Sequence, residues 1–207
     1  MTDLHTSWQR MWSGIGALAG GEQTYEELVA RYSEPHRKYH SLQHLSECIQ
    51  WFETVTALAL HPGEIEAALW FHDAIYELKQ HDNEEQSASW ARTALLQAGV
   101  PHTSAVRVEC LVLATKHTGL PVSPDEQLLV DIDLSILGAT DARFAEYEYQ
   151  IRQEYSFVPE VQFRQKRRAI LRSFLDRSHI YSTAHFLSVL EERARANLHR
   201  AVGENTG

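Results

Sequence analysis

Ala67-Ala68-Leu69-Trp70-Phe71-His72-Asp73-Ala74-Ile75-Tyr76 is an apolar run at helical spacing, broken by a His and an Asp side by side. Burying a carboxylate without partners costs several kcal/mol or more, so Asp73 is expected to be paired, hydrogen-bonded or bound to a cation. A metal ion accounts for His72 and Asp73 together. Upstream, Pro62 suits the first turn of this helix, which is expected to end near Tyr76-Glu77 with Ile65, Leu69, His72 and Tyr76 along one face. Trp70, Phe71 and Tyr76 read as core residues rather than as stacking platforms for a base.

Outward from this stretch, apolar residues keep a helical period nearly throughout, and alternating β-branched runs are scarce. The expectation is an all-α fold without sheet. A first helix is expected over about residues 3–18, ending at Gly20-Gly21, and Thr24 with Glu27 forms a capping-box pattern for a second. Ser41 can cap a helix running to about residue 59, with Leu45, Cys48, Ile49, Phe52 and Val55 as its apolar stripe. Asp82 or Asn83 opens another to about Gln97, and a further one covers about 103–117. The Asp131 helix closes at Gly138, and helices over about 140–156, 159–176 and 183–200 complete the chain, with Pro159 opening one of them. Gly203 to Gly207 reads as a frayed tail.

With 207 residues the chain suits one domain. Its 28 acidic against 19 basic residues give a net charge of −9, which argues against broad nucleic-acid or anionic-membrane binding. Lys166-Arg167-Arg168 lies among Ile170, Leu171, Phe174 and Leu175 and reads as the solvated face of an amphipathic helix. The two cysteines, Cys48 and Cys110, form no Cys-x-x-Cys pair, so neither a disulfide framework nor a thiolate zinc knuckle is indicated. Met1-Thr2-Asp3-Leu4-His5 does not begin a signal segment, and no apolar run approaches the ~20 residues that span a bilayer. A soluble, cytoplasmic protein is expected.

Three other places supply partners for His72-Asp73: His40 and His44, His117, and Asp131 with Asp133. Imidazole with carboxylate favours Mn, Fe, Co, Ni or Zn over Ca, with Mg also admissible, as one ion or two. His40 and His44, four residues apart, can share a helical face, whereas Asp131 and Asp133, two apart, cannot both point the same way.

In the order His, His-Asp, Asp, the chain resembles the HD superfamily of metal-dependent phosphohydrolases. It is most similar to a group of predicted HD phosphohydrolases. The resemblance is carried by Glu34-Pro35-His36-Arg37-Lys38-Tyr39-His40, Ala68-Leu69-Trp70-Phe71-His72-Asp73, Asn83-Glu84 with Ser87-Ala88, and Asp131-Ile132-Asp133-Leu134-Ser135-Ile136-Leu137-Gly138. Arg152-Gln153-Glu154-Tyr155 and Arg168 extend it more weakly. It implies a single HD-like helical bundle, with a metal-site core over about 31–138 and a helical extension over about 139–200.

The resemblance further implies His44, His72, Asp73 and Asp131 as metal ligands, with His44 preferred to His40 and Asp133 the alternate to Asp131. Asp73 and Glu84 are the catalytic candidates. His40, His117 and Asp133 are expected to touch substrate or orient a ligand, and Arg37, Lys38, Arg152 and Arg168 are candidate phosphate clamps. Hydrolysis of a nucleotide or other small phosphorylated metabolite is the implied reaction, and a homodimer is compatible. The chain lacks the His-Asp-Gly-Tyr-Pro string of cyclic-dinucleotide phosphodiesterases and the long extension of alarmone synthetase-hydrolases. Two other readings remain: an HD-fold di-iron oxygenase, and a helical module that binds metal or nucleotide without turnover.

Overall fold

The computed structural model of the protein describes residues 3–203 and contains ten α-helices, two short 3-10 segments and, among the described residues, no strand. The expected tail lies, beyond Gly203, outside the described residues. The chain divides into two compact units, Met1–Asp133 and Leu134–Gly207. Among the described residues no helix is long and apolar enough to cross a membrane.

The first unit holds α1 (Leu4–Gly14), α2 (Gly21–Tyr32), α3 (Leu42–Val55), α4 (Pro62–Phe71), α5 (Asn83–Gln97), α6 (His102–Ala114) and α7 (Pro124–Asp133). At its centre is α4, touched by α1, α3, α5, α6 and α7, with every residue from Glu64 to Phe71 buried. A helix apolar on all sides belongs inside a protein, and that is how α4 packs. Trp8 stacks on Trp12 at 4.7 Å and meets Trp70 edge-on at 5.2 Å, sealing one side of it.

Two acids interrupt the apolar surface of α4 near its start, and both have guanidinium partners. Glu66 accepts hydrogen bonds from Ser7 Oγ at 2.7 Å and from two nitrogens of Arg10. Trp70 Nε1 donates in turn to Ser7 Oγ at 3.2 Å. Glu64 takes a two-pronged pair from Arg107, at 2.6 and 2.5 Å. Such bidentate pairing is what allows a carboxylate to stay charged away from water.

Helix starts follow the sequence closely in places. Ser41 Oγ accepts from Gln43 N at the start of α3, and Pro62 occupies the first turn of α4. The capping box at Thr24 does not form: α2 begins at Gly21, behind Gly20 in the left-handed region at φ +73°, and the Thr24 hydroxyl donates to Gly20 O from within the helix. Glycine adopts that φ without the penalty a side chain brings, so it sets the start. The larger difference is at α4, which stops at Phe71 rather than near Tyr76, leaving Asp73 to Tyr76 in a turn.

The second unit runs from a 3-10 segment, Leu134–Gly138, into α8 (Asp141–Glu154), α9 (Glu160–Leu175) and α10 (Ala184–Val202). A Cβ on Gly138 would lie 2.8 Å from Leu190 Cβ, so only glycine lets α10 approach. Asn197, fully buried on α10, donates to the carbonyls of Leu137 and Ala139 at 2.8 and 3.0 Å. Tyr181 Oη donates to Leu134 O at 3.1 Å.

Candidate metal centre

Three parts of the first unit converge at the end of α4. His44 is in the first turn of α3, where Ser41 starts the helix and Leu45, Ile49 and Phe52 anchor it in the core. His72 and Asp73 follow the last turn of α4, and Asp133 is the last residue of α7. His44 Nε2 is 3.1 Å from His72 Nε2, 3.6 Å from Asp73 Oδ2 and 3.2 Å from Asp133 Oδ1. His72 Nε2 is 3.0 Å from Asp73 Oδ2 and 3.6 Å from Asp133 Oδ1. Donors around an ion with bonds of about 2.0–2.2 Å stand roughly 2.8–3.6 Å apart in octahedral or tetrahedral arrangement, so this spacing fits one ion.

The orientation of His72 fits as well. Its Nδ1–H donates to Leu69 O at 2.8 Å, which leaves Nε2 facing the two carboxylates. A backbone acceptor on the far ring nitrogen is the usual way a metal-binding imidazole is aimed. Cys48, one turn along α3 from His44, is also buried, and His44, Cys48, His72 and Asp133 form a group able to hold a metal ion. Its Sγ lies nearly equidistant from His44 Nδ1 and Nε2, at 3.7 and 3.8 Å, and so packs against the ring rather than along the axis of one nitrogen. The sequence placed Cys48 in the apolar stripe of its helix; its spacing of four from His44 was the signal that the two share a face.

Electrostatically, this group and the neighbouring Asp73 set two carboxylates among imidazoles. Burial opposes charge on His72, yet Asp73 beside it, with help from Asp133, raises the imidazole to about 9. Burial also opposes the Asp73 charge, but His72, His40 and His44 hold its carboxyl below the ordinary value. Asp133, likewise buried, is held well below the usual carboxylate range by hydrogen bonds from His117 and His44. Burial pushes the Cys48 thiol well up.

Asp133, the alternate to Asp131 in the expected ligand set, is the one that stands in the group. Asp131 is fully buried two residues earlier on α7, and a helix turns residues two apart away from each other. His117, just past α6, places Nε2 3.0 Å from Asp133 Oδ2 and is the sole non-glycine residue at positive φ, +53°, among the described residues. Such a backbone is costly for a side-chain-bearing residue and here aims the ring at Asp133. His40 stacks on Tyr76, ring centres 4.0 Å apart, with its own ring centre 6.1 Å from that of His44. Glu84 is half-buried in the first turn of α5 and outside the group.

The four candidate phosphate clamps lie in differing surroundings. The Arg37 side chain is 0 % exposed and spends its donors on Glu34 and on backbone carbonyls, so it has no face for a substrate. Lys38 is exposed, and its Nζ donates to Pro35 O at 2.8 Å. In the second unit, Arg152 pairs with Glu160 at 2.8 Å and donates to the carbonyls of Tyr155 and Val158, closing the end of α8. Arg168 is exposed on α9.

Fold and site together define an all-α protein with a buried His, Cys and Asp group able to hold a metal ion. Comparison with protein-family models, curated proteins and solved structures gives no match for the chain.

Proposed function

We propose that the protein is a metal-dependent phosphohydrolase acting on a nucleotide or another small phosphorylated metabolite, with His44, His72, Asp73 and Asp133 holding a divalent transition-metal ion. The observation that carries the reading is the approach of their donor atoms, at 3.0–3.6 Å in the five pairs above. When bound, such an ion supplies Lewis acidity, lowering the pKa of a water and offsetting charge on phosphoryl oxygens. His72, aimed by the carbonyl of Leu69 through its Nδ1–H, and His44, held by the buried stripe of α3, would contribute nitrogen donors. Asp73 and Asp133 contribute negative charge that balances a dication, so a phosphate ester would meet a nearly neutral site.

Access runs past the carboxylates. Asp73 and Asp133 keep 18 % and 13 % of their side chains exposed, whereas His44 and His72 are closed off behind them. A substrate oxygen would therefore approach beside Asp73, which is placed to accept a proton from the attacking water.

The test is phosphate release from a panel of nucleotides and sugar phosphates with Mn, Co, Ni, Fe or Mg supplied in turn. A folded Asp73→Ala variant is expected to lose more than the ~10–100-fold typical of residues that only orient a ligand. Metal bound without turnover on any phosphoester would leave a non-catalytic binding module. One further contact favours a second reading: Asp133 presents Oδ1 to His44 and Oδ2 to His117, the arrangement a two-ion oxygenase would need. Iron-dependent oxygen consumption with two ions per chain supports that version, and a stoichiometry fixed at one excludes it.

A further inference from the structure

We infer that Arg37 is a positioning residue that builds the metal site from beneath, fixing the turn after α4 against the loop that leads into α3. The inference rests on reading His44, His72, Asp73 and Asp133 as ligands. Because α4 stops at Phe71, the carbonyls just beyond it have no partner from a continuing helix, and buried carbonyls require donors. Arg37 supplies them. Its Nη1 donates to Asp73 O at 2.5 Å and its Nη2 to Ala74 O at 3.0 Å.

The same guanidinium reaches the other wall. Nη1 also donates to His40 O at 3.2 Å, one residue before the Ser41 cap that starts the helix of His44, and Nε donates to Glu34 Oε2 at 3.0 Å. One planar group thus ties His40, Asp73 and Ala74 together, and with them the spacing between His44 and the His72-Asp73 pair. Tyr32 and Tyr76 enclose it, their ring centres 5.3 and 5.5 Å from Cζ. Tyr32 Oη also accepts from Asp73 N at 3.3 Å, so the backbone of Asp73 is held on both its N–H and its carbonyl. A lysine ammonium, a single nitrogen on a flexible stem, cannot reproduce a fork that meets four acceptors in fixed directions.

The experiment measures binding of Co(II) and Zn(II) alone, by calorimetry and by the Co(II) absorption spectrum, for the wild type, Arg37→Lys and Glu66→Gln. Circular dichroism and melting follow the fold of each. Arg37→Lys is expected to keep its helices and bind metal about 10–100-fold more weakly, with an altered Co(II) spectrum, as for other residues that orient ligands. Glu66→Gln, whose change lies at the far end of α4, is expected to lose stability and bind like the wild type. Unchanged affinity in Arg37→Lys overturns the inference, as does equal weakening in Glu66→Gln, since general destabilisation would then explain both.

Should Arg37→Lys not fold, Glu34→Gln carries the test by loosening one corner of the guanidinium. The expected loss is about 2–10-fold, the worth of one hydrogen bond, and an unchanged affinity overturns the inference. A wild type that binds neither metal fails at an earlier step, overturning the ligand reading itself and with it the role given to Arg37.

Discussion

The two ends of α4 bury acids in opposite ways. Near its start, Glu64 and Glu66 face Arg107 and Arg10, cations that keep their charge at any working pH. Past its end, Asp73 and Asp133 face His72, His44 and His117, whose charge depends on a proton. A permanent ion pair needs nothing more from solution. Carboxylates gathered with imidazoles hold a place that a proton or a metal ion can occupy, and the exchange of one for the other makes that end a site.

The sharpest way to break this comparison is to ask which Asp of α7 belongs to the site. Asp133→Asn is expected to weaken metal binding by more than about 100-fold, beyond the range seen when only an orienting residue is changed. Asp131→Asn, measured by the same titration on a folded sample, is expected to stay within about tenfold. The reverse outcome would make Asp131 the ligand and leave Asp133 as a partner of His117 alone.

That assignment also shows where the sequence stopped being legible. The helices, Ser41 as a cap and Pro62 in a first turn follow from periodicity and residue chemistry, because each depends on neighbours within a turn or two, whereas His44 was joined to His72 and Asp73 only through the resemblance. Asp131 and Asp133 could not be ranked that way: α7 buries Leu128, Leu129, Val130 and Ile132 around its whole circumference, so no polar face marks the direction of the site. The end of α4 was hidden for a similar reason. Apolar spacing continues through Ala74 and Ile75, and the turn there is held by Arg37 and Tyr32 from elsewhere in the chain. The role of Arg37 was equally unreadable, since a basic residue beside Lys38 gives no sign that its side chain is closed off from water.

At the other end of α4, Glu66→Gln is expected to cost about 1–3 kcal/mol, because it removes the charge that Arg10 answers and disturbs the chain from Trp70 through Ser7. Thermal melting reads this as a drop of roughly 2–4 °C per kcal/mol in a protein of this size. Metal affinity should be unmoved. A loss of metal binding in this variant would mean that the two ends of α4 are one cooperative unit rather than a fixed pair and a site.

The smallest effect, and the one that tests the contrast most directly, is the pH dependence of the metal-free protein. His72 is held at about 9 in the fold against 6.5 for an ordinary imidazole, so the folded chain binds more protons than the unfolded one between those values. Its contribution to stability is full below pH 6.5 and is lost as pH rises through 9. Asp73 and Asp133, held below their ordinary 3.8, contribute above that pH and lose the contribution as pH falls. The guanidinium pairs at Glu64 and Glu66 add no slope between pH 6.5 and 9, because hydrogen bonding to the carboxylates, which outweighs the opposing effect of burial, keeps Arg10 and Arg107 charged throughout. With a chelator present, the wild type should therefore lose more in melting temperature than a folded His72→Gln variant on going from pH 6.5 to 9. Parallel slopes in the two proteins would mean that His72 carries no extra proton, and that the end of α4 holds its acids by some other means than a displaceable charge.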